Sequence, residues 1–283
     1  PRRKQEAADS LIDKYYQDSI ETGNRIRDGL SQAVKESLVA LGNGLLQQPE
    51  NEQLRQWIND GKLTAFDFNH QLLRLIYRLL FLMVTEERDL IFEDSADDTT
   101  KKQKDIYYRY YSLMRLRKLS ENRYLFEAQY TDLWTAMMQT FRMFETGGNG
   151  KPMGIKPFGG DLFSPKAMEY ISDTMLNNKV LMECIKSMNE FEDAQRNKVA
   201  INYRSLDVEE LGSIYEGLLE LSPVIVYDQP HYRFTYEKGS ERSSSGSHYT
   251  PEDLVKPLIE HSLEYLIEER VKNPEKYLTP EQR

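Results

Sequence analysis

The run LLRLIYRLLFLMV, Leu72 to Val84, does most to limit what this chain can become. It is too short to span a bilayer, which takes roughly 20 apolar residues, and Arg74 and Arg78 interrupt it. It therefore reads as a helix buried in a protein core, with TAFDFNHQ as its polar preamble and TEERDLI after it. A chain of 283 residues has room for one large domain or two ordinary ones around such a helix. Hydrophobic residues make up 39% and charged residues 29%, which fits a soluble folded protein with a long polar surface.

Helical spacing dominates the rest. Residues 7–46 place Leu11, Ile12, Tyr15, Ile26, Leu30, Val34, Leu38 and Leu41 on a helical repeat. In LGNGLL, Gly42 and Gly44 mark a helix stop or a point of close packing. A helix fits 51–60 with Leu54, Trp57 and Ile58 inward, and further helices fit 106–118, 124–144 and 165–195. EDSADDTTKKQKD, 93–105, reads as a surface loop, and 145–161 as a Gly/Pro-rich connector. Gly150-Lys151 in that connector is not a phosphate loop, because Glu145 and Pro152 stand where the motif needs Gly and Ser or Thr.

After residue 205 the texture changes. SLDVEELGSIYEGLLELSP opens with Asp207 as N-cap and Glu210 three residues on, a capping-box spacing. Gly212 and Gly217 suggest close approach of another backbone, and Pro223 is expected to end the helix. VIVYDQPHYRFTY predicts a hairpin turning at Asp228–His231, with Tyr232, Phe234 and Tyr236 alternating on one face. It is the one β element expected, and EKGSERSSSGS follows as a tether.

The tether stops at Thr250-Pro251. Thr250 suits an N-cap, Pro251 the first helical position, and Glu252 and Asp253 the positive end of the dipole. Leu254, Val255, Leu258, Ile259, Leu263 and Leu266 give the helix an expected core face, kinked at Pro257. The bland reading is a well-capped helix after a linker. The functional one uses its free N–H groups as an anion site, with His248 and Tyr249 beside a heterocycle.

GSHYTPEDLVKPLIEHSL resembles motif X of γ-class adenine-N6 DNA methyltransferases, and LDVEELGSIYEGLLEL, the hairpin and the tether look like the lead-in of large Eco57I-like restriction-modification methylases. The BREX and DISARM phage-defence enzymes belong to that broad group. The match covers about residues 205–267; FGGDLFSP, 158–165, and the 72–91 helix carry a looser likeness. The resemblance implies a site-specific adenine methyltransferase using S-adenosylmethionine on double-stranded DNA, alone or with other defence-system subunits. The single cysteine fits a reducing, cytoplasmic compartment, and the short Leu72–Val84 run argues against a membrane. It implies that His248, Tyr249, Thr250 and Pro251 line the cofactor site. The family's Asp-Pro-x-x-Gly-x-Gly loop and Asn/Asp-Pro-Pro-Tyr motif are not in this sequence. The expectation is thus the N-terminal portion of a larger enzyme, inactive alone and without catalytic residues of its own.

The expected fold is mainly α: a multi-helix domain over 1–204, a helix and small β-hairpin as connector over 205–240, and over 241–283 the first helix of a truncated α/β methyltransferase domain. The alternative is a non-catalytic helical adaptor docking protein partners or DNA.

KKQKDIYYRYYSLMRLRKLSENR, 101–123, interleaves cations with tyrosines, and DNA contact falls to Lys101, Lys102, Lys104, Arg109, Arg115, Arg117 and Lys118. The bland reading is a solvated helix whose tyrosines pack inward, and the net charge of −9 argues against the whole chain wrapping a polyanion. No acidic cluster with Glu-x-Lys on a strand suggests a nuclease. His70, His231, His248 and His261 are too scattered to suggest a metal. Cys184, the single cysteine, lies on an apolar helix face and reads as a buried inert thiol.

Overall fold

The computed structural model describes residues 11–94, 97–192, 198–206, 208–219, 221–228, 231–237 and 252–273. The described chain is mainly helical, with two small antiparallel hairpins. At its centre lies α3, Ala65–Glu87. Thr64 starts it with a capping box: its hydroxyl accepts from the Asp67 N–H at 3.1 Å, and Asp67 Oδ2 accepts from the Thr64 N–H. Phe68, Leu72, Leu75, Ile76, Leu79, Leu82 and Met83 are fully or almost fully buried, so the apolar run is core as its pattern requires.

Against α3 lies α1, Leu11–Gln47, which also packs on α7, Asn178–Asn189, on α8, Val208–Leu219, and on the second strand of the hairpin β3, Ser222–Asp228, and β4, His231–Glu237. Gly42 and Gly44 sit inside α1 rather than at its end. A Cβ on Gly42 would lie 2.6 Å from Phe234 Cδ1, and one on Gly44 2.6 Å from Leu176 Cδ1. Both glycines therefore serve close packing. Gly217 does not: the nearest atom to a Cβ there is Ser31 Oγ, at 3.9 Å.

Buried polar side chains tie loops to this core. Arg78, fully buried on α3, donates from Nε to the Leu162 carbonyl at 2.8 Å, from one terminal nitrogen to Glu145 at 2.7 Å and from the other to the Ser164 carbonyl at 2.9 Å. Its guanidinium also lies 5.1 Å from the Phe163 ring centroid. Arg78 thus fastens the 162–164 backbone to α3, beside Phe81, whose ring packs on Phe158 and Phe163. Asn51 does similar work ahead of α2, Glu52–Asn59, donating to the Leu45 and Met175 carbonyls and accepting from the Met175 N–H.

Several expectations are corrected. The 93–105 loop is helical from Asp98, because Asp97 caps α4, Asp98–Tyr110, by accepting from the Thr100 N–H. The helix expected over 106–118 breaks at Ser112, which caps α5, Leu113–Leu119. In place of 124–144, α6 runs over Asp132–Phe144 after a 3₁₀ turn at Arg123–Leu125. In place of 165–195 there are a 3₁₀ turn, Pro165–Met168, then α7. A second hairpin, β1 Glu190–Glu192 with β2 Lys198–Ala200, was not expected from the sequence. Pro223 lies within β3 rather than ending α8. Asp207 falls outside the described residues, as does the tether, 237–247, except for Glu237, which ends β4.

β3 and β4 pair in the register Tyr227↔Tyr232 and Ile225↔Phe234, with Tyr232 and Phe234 buried. The alternation read from the sequence therefore holds for the first two aromatics; Tyr236 is half-buried and donates to Asn69 Oδ1 at 2.6 Å.

Candidate functional site

The residues expected to hold the cofactor, His248, Tyr249, Thr250 and Pro251, lie outside the described residues. The helix after them is described: α9, Glu252–Leu258, a π turn at Ile259–Leu263, and α10, Glu264–Lys272. Glu252 is its first described residue, and the expected capping pair, Thr250 and Pro251, falls outside the described residues. Pro257 has no N–H to give the preceding turn, and the widened turn begins two residues later. The Ser262 hydroxyl donates to the Leu258 carbonyl within that turn.

The expected core face of this helix is corrected. Leu254 is 64% exposed and Leu258 66%, and Ile259, Leu263 and Leu266 are exposed as well. Tyr265, Ile267 and Val271 add further exposed apolar surface. Periodicity marked these residues as apolar without saying what covers them.

The cationic segment divides into parts with different roles. Arg117 leaves the candidate DNA contacts: it pairs with Glu87, donates to Asn189 Oδ1 at 2.7 Å and to the Ile201 carbonyl at 3.3 Å, and its guanidinium carbon stands 4.8 Å from the Tyr203 ring centroid. It clamps α3, α5, α7 and the loop after β2. Lys104 pairs with Asp89, Arg109 with Asp105 at 3.4 Å and Lys101 with Asp98 at 3.9 Å, all on the surface, where water leaves such pairs open to exchange. Lys102, Arg115 and Lys118 have no carboxylate partner among the described residues. The tyrosines split too. Tyr107 is fully buried and Tyr108 half-buried, whereas Tyr110 and Tyr111 are exposed.

What holds α5 in place is Glu86, which the sequence reading did not single out. Its buried carboxylate accepts from the Leu113 N–H at 2.8 Å, the Met114 N–H at 2.7 Å and the Tyr107 hydroxyl at 2.8 Å. Those amides are the orphan donors of the first turn of α5, and the Ser112 hydroxyl takes the next, from Arg115. Burial pushes the Glu86 carboxyl up to about 7, against the pull of these donors and of the Arg117 charge. The only obvious sequence signal was an acid inside an apolar helix face.

Cys184 is buried, and burial pushes its thiol up to about 12, so the inert reading stands. Among the described residues no group of three His, Cys, Asp or Glu could hold a metal ion. No helix among them is long and apolar enough to cross a membrane. No protein-family model, curated protein or solved structure matches the chain.

Proposed function

We propose that this chain is the N-terminal part of a site-specific adenine-N6 DNA methyltransferase of the Eco57I-like group, acting in restriction-modification or phage defence. The observation that carries the reading is the Gly246–Pro251 run standing directly before a helix whose Leu254, Leu258, Leu263 and Leu266 remain in water. So much apolar surface on one helix suits an element of a larger core. On this reading its cover is an α/β domain that binds S-adenosylmethionine. Thr250 and the helix N-terminus would then meet the cofactor's carboxylate, with His248 and Tyr249 beside it. Lys101, Lys102, Lys104, Arg109, Arg115 and Lys118 would face DNA phosphates.

The test uses the whole protein its gene encodes, incubated with methyl-labelled S-adenosylmethionine and double-stranded DNA. Label recovered as N6-methyladenine supports the reading, and Thr250→Ala should weaken cofactor binding. A full-length protein that neither binds the cofactor nor transfers the methyl group would sink it.

A non-catalytic adaptor is the second reading, favoured by the same exposed helix, which also suits docking on a separate protein. A stop codon directly after Arg283 would decide for it.

A further inference from the structure

We infer that a cleft beside α5 takes a single unstacked nucleobase of DNA. This rests on the reading of α4 and α5 as facing DNA, and it says what part of the DNA they would meet.

The cleft has a volume of about 440 Å³ and is lined by Arg115, Leu119, Tyr124, Glu127, Tyr130 and Leu133, among others. Tyr124 is 75% exposed and Tyr130 54%, far more than the tyrosines that serve the core. Exposed rings over an apolar floor form a stacking platform for a flat heterocycle. Leu119 and Leu133 supply the floor.

The far wall is fixed. Asn178 donates to Asp132 Oδ1 at 2.8 Å and accepts from the Leu133 N–H at 3.2 Å, so both of these polar side chains are already engaged. Arg115 and Glu127 remain, one a donor and one an acceptor, which is what the edge of an amino-bearing base requires.

Charge argues for a polyanion as the carrier of that flat group. Arg115 and Lys118 stand three apart on α5, hence on one side of it, and Arg123 adjoins Tyr124. None of the three has a carboxylate partner among the described residues. Phosphates on Lys118 and Arg123 would place the base at the cleft, where Arg115 meets its edge. A matched duplex keeps its bases stacked and offers only its backbone, so the cleft favours a strand with a base already out of the stack.

The experiment titrates the 283-residue chain with three labelled DNAs: a matched duplex, the same duplex with one bulged 2-aminopurine, and the single strand. The bulged and single-stranded forms should bind about tenfold tighter than the duplex, with 2-aminopurine fluorescence quenched on binding. Tyr124→Ala and Tyr130→Ala should each remove most of that preference and leave duplex binding unchanged, whereas Tyr124→Phe should retain it. If the duplex binds but the tyrosine variants change nothing, or the quench is absent, the cleft is not a base site although the DNA reading survives. If no DNA binds, both fail. Binding of an acidic peptide in place of DNA would overturn both in favour of a protein partner.

Discussion

The side-chain amide of Asn43 sits across the backbone of Phe234 as a neighbouring strand would. Nδ2 donates to the Phe234 carbonyl at 2.9 Å, and Oδ1 accepts from the Phe234 N–H at 2.9 Å. A residue 191 positions away thereby closes the outer edge of β4 and fastens the hairpin to α1.

Asn43→Ala should therefore undock the hairpin more than it disturbs α1. Two largely buried backbone groups would lose their partner, a cost of roughly 2–3 kcal/mol. Urea denaturation should show that loss, and amide exchange should rise first over 231–237. Unchanged protection there would mean that ring packing alone holds the hairpin.

Two glycine substitutions should have opposite signs. Gly42→Ala gains about 1 kcal/mol of helix propensity. Its Cβ, however, would meet Phe234 Cδ1 at 2.6 Å and Leu72 Cδ1 at 3.2 Å. The Phe234 ring is hemmed in by Phe68 at 5.6 Å and Tyr236 at 5.3 Å between centroids, so it cannot step aside without cost. Overpacking of this kind costs about 1–3 kcal/mol, and the net effect should be a lower melting temperature. Gly217→Ala meets only Ser31 Oγ, at an ordinary contact distance of 3.9 Å, and should raise it. Equal effects in a thermal melt would refute the packing argument.

These contacts also mark how far the sequence could be read. The α3 core and the β3–β4 hairpin were legible because each carries its periodicity within one segment. The breaks at Ser112 and before Asn178 were not, because distant groups settle them. Glu86 takes the first amides of α5, and the Asn178 N–H donates to the Tyr130 carbonyl at 2.7 Å. Arg115 and Arg117 look alike as letters, and only depth and partners separate a surface cation from a clamp. The helix after Thr250-Pro251 was legible as a helix, but a periodic face does not name its cover.

Arg78→Met should destabilise strongly and locally. It leaves the Leu162 and Ser164 carbonyls and the Glu145 carboxylate without their donor. Removing one partner of a buried pair costs roughly 3–5 kcal/mol. Limited proteolysis should then cut within 145–165 before elsewhere. Arg78→Lys should rescue little, since one ammonium cannot reproduce the three directions of the fork. Full rescue by lysine would show that charge alone suffices.

Glu86 gives the pH prediction, and its sign is the reverse of the usual carboxylate. The ordinary value is 4.5 and burial raises the folded one to about 7. Between these limits the folded protein holds a proton that the unfolded chain has released. The stabilisation is therefore full below about 4.5, falls as pH rises through the window, and is gone above about 7. The whole effect is at most roughly 3 kcal/mol. Tyr107, Tyr108, Asp89 and Arg117 are the other titratable groups around it, and Asp67 and Glu93, both held low by their partners, pull the total slope the other way. The comparison must therefore be with Glu86→Gln, which keeps one acceptor and cannot ionise. Subtracting its unfolding free energy from that of the unaltered protein should leave a curve that declines between pH 4.5 and 7 and is flat above. A difference curve that rises over that range would mean that the Leu113, Met114 and Tyr107 donors outweigh desolvation and that Glu86 is held ionised.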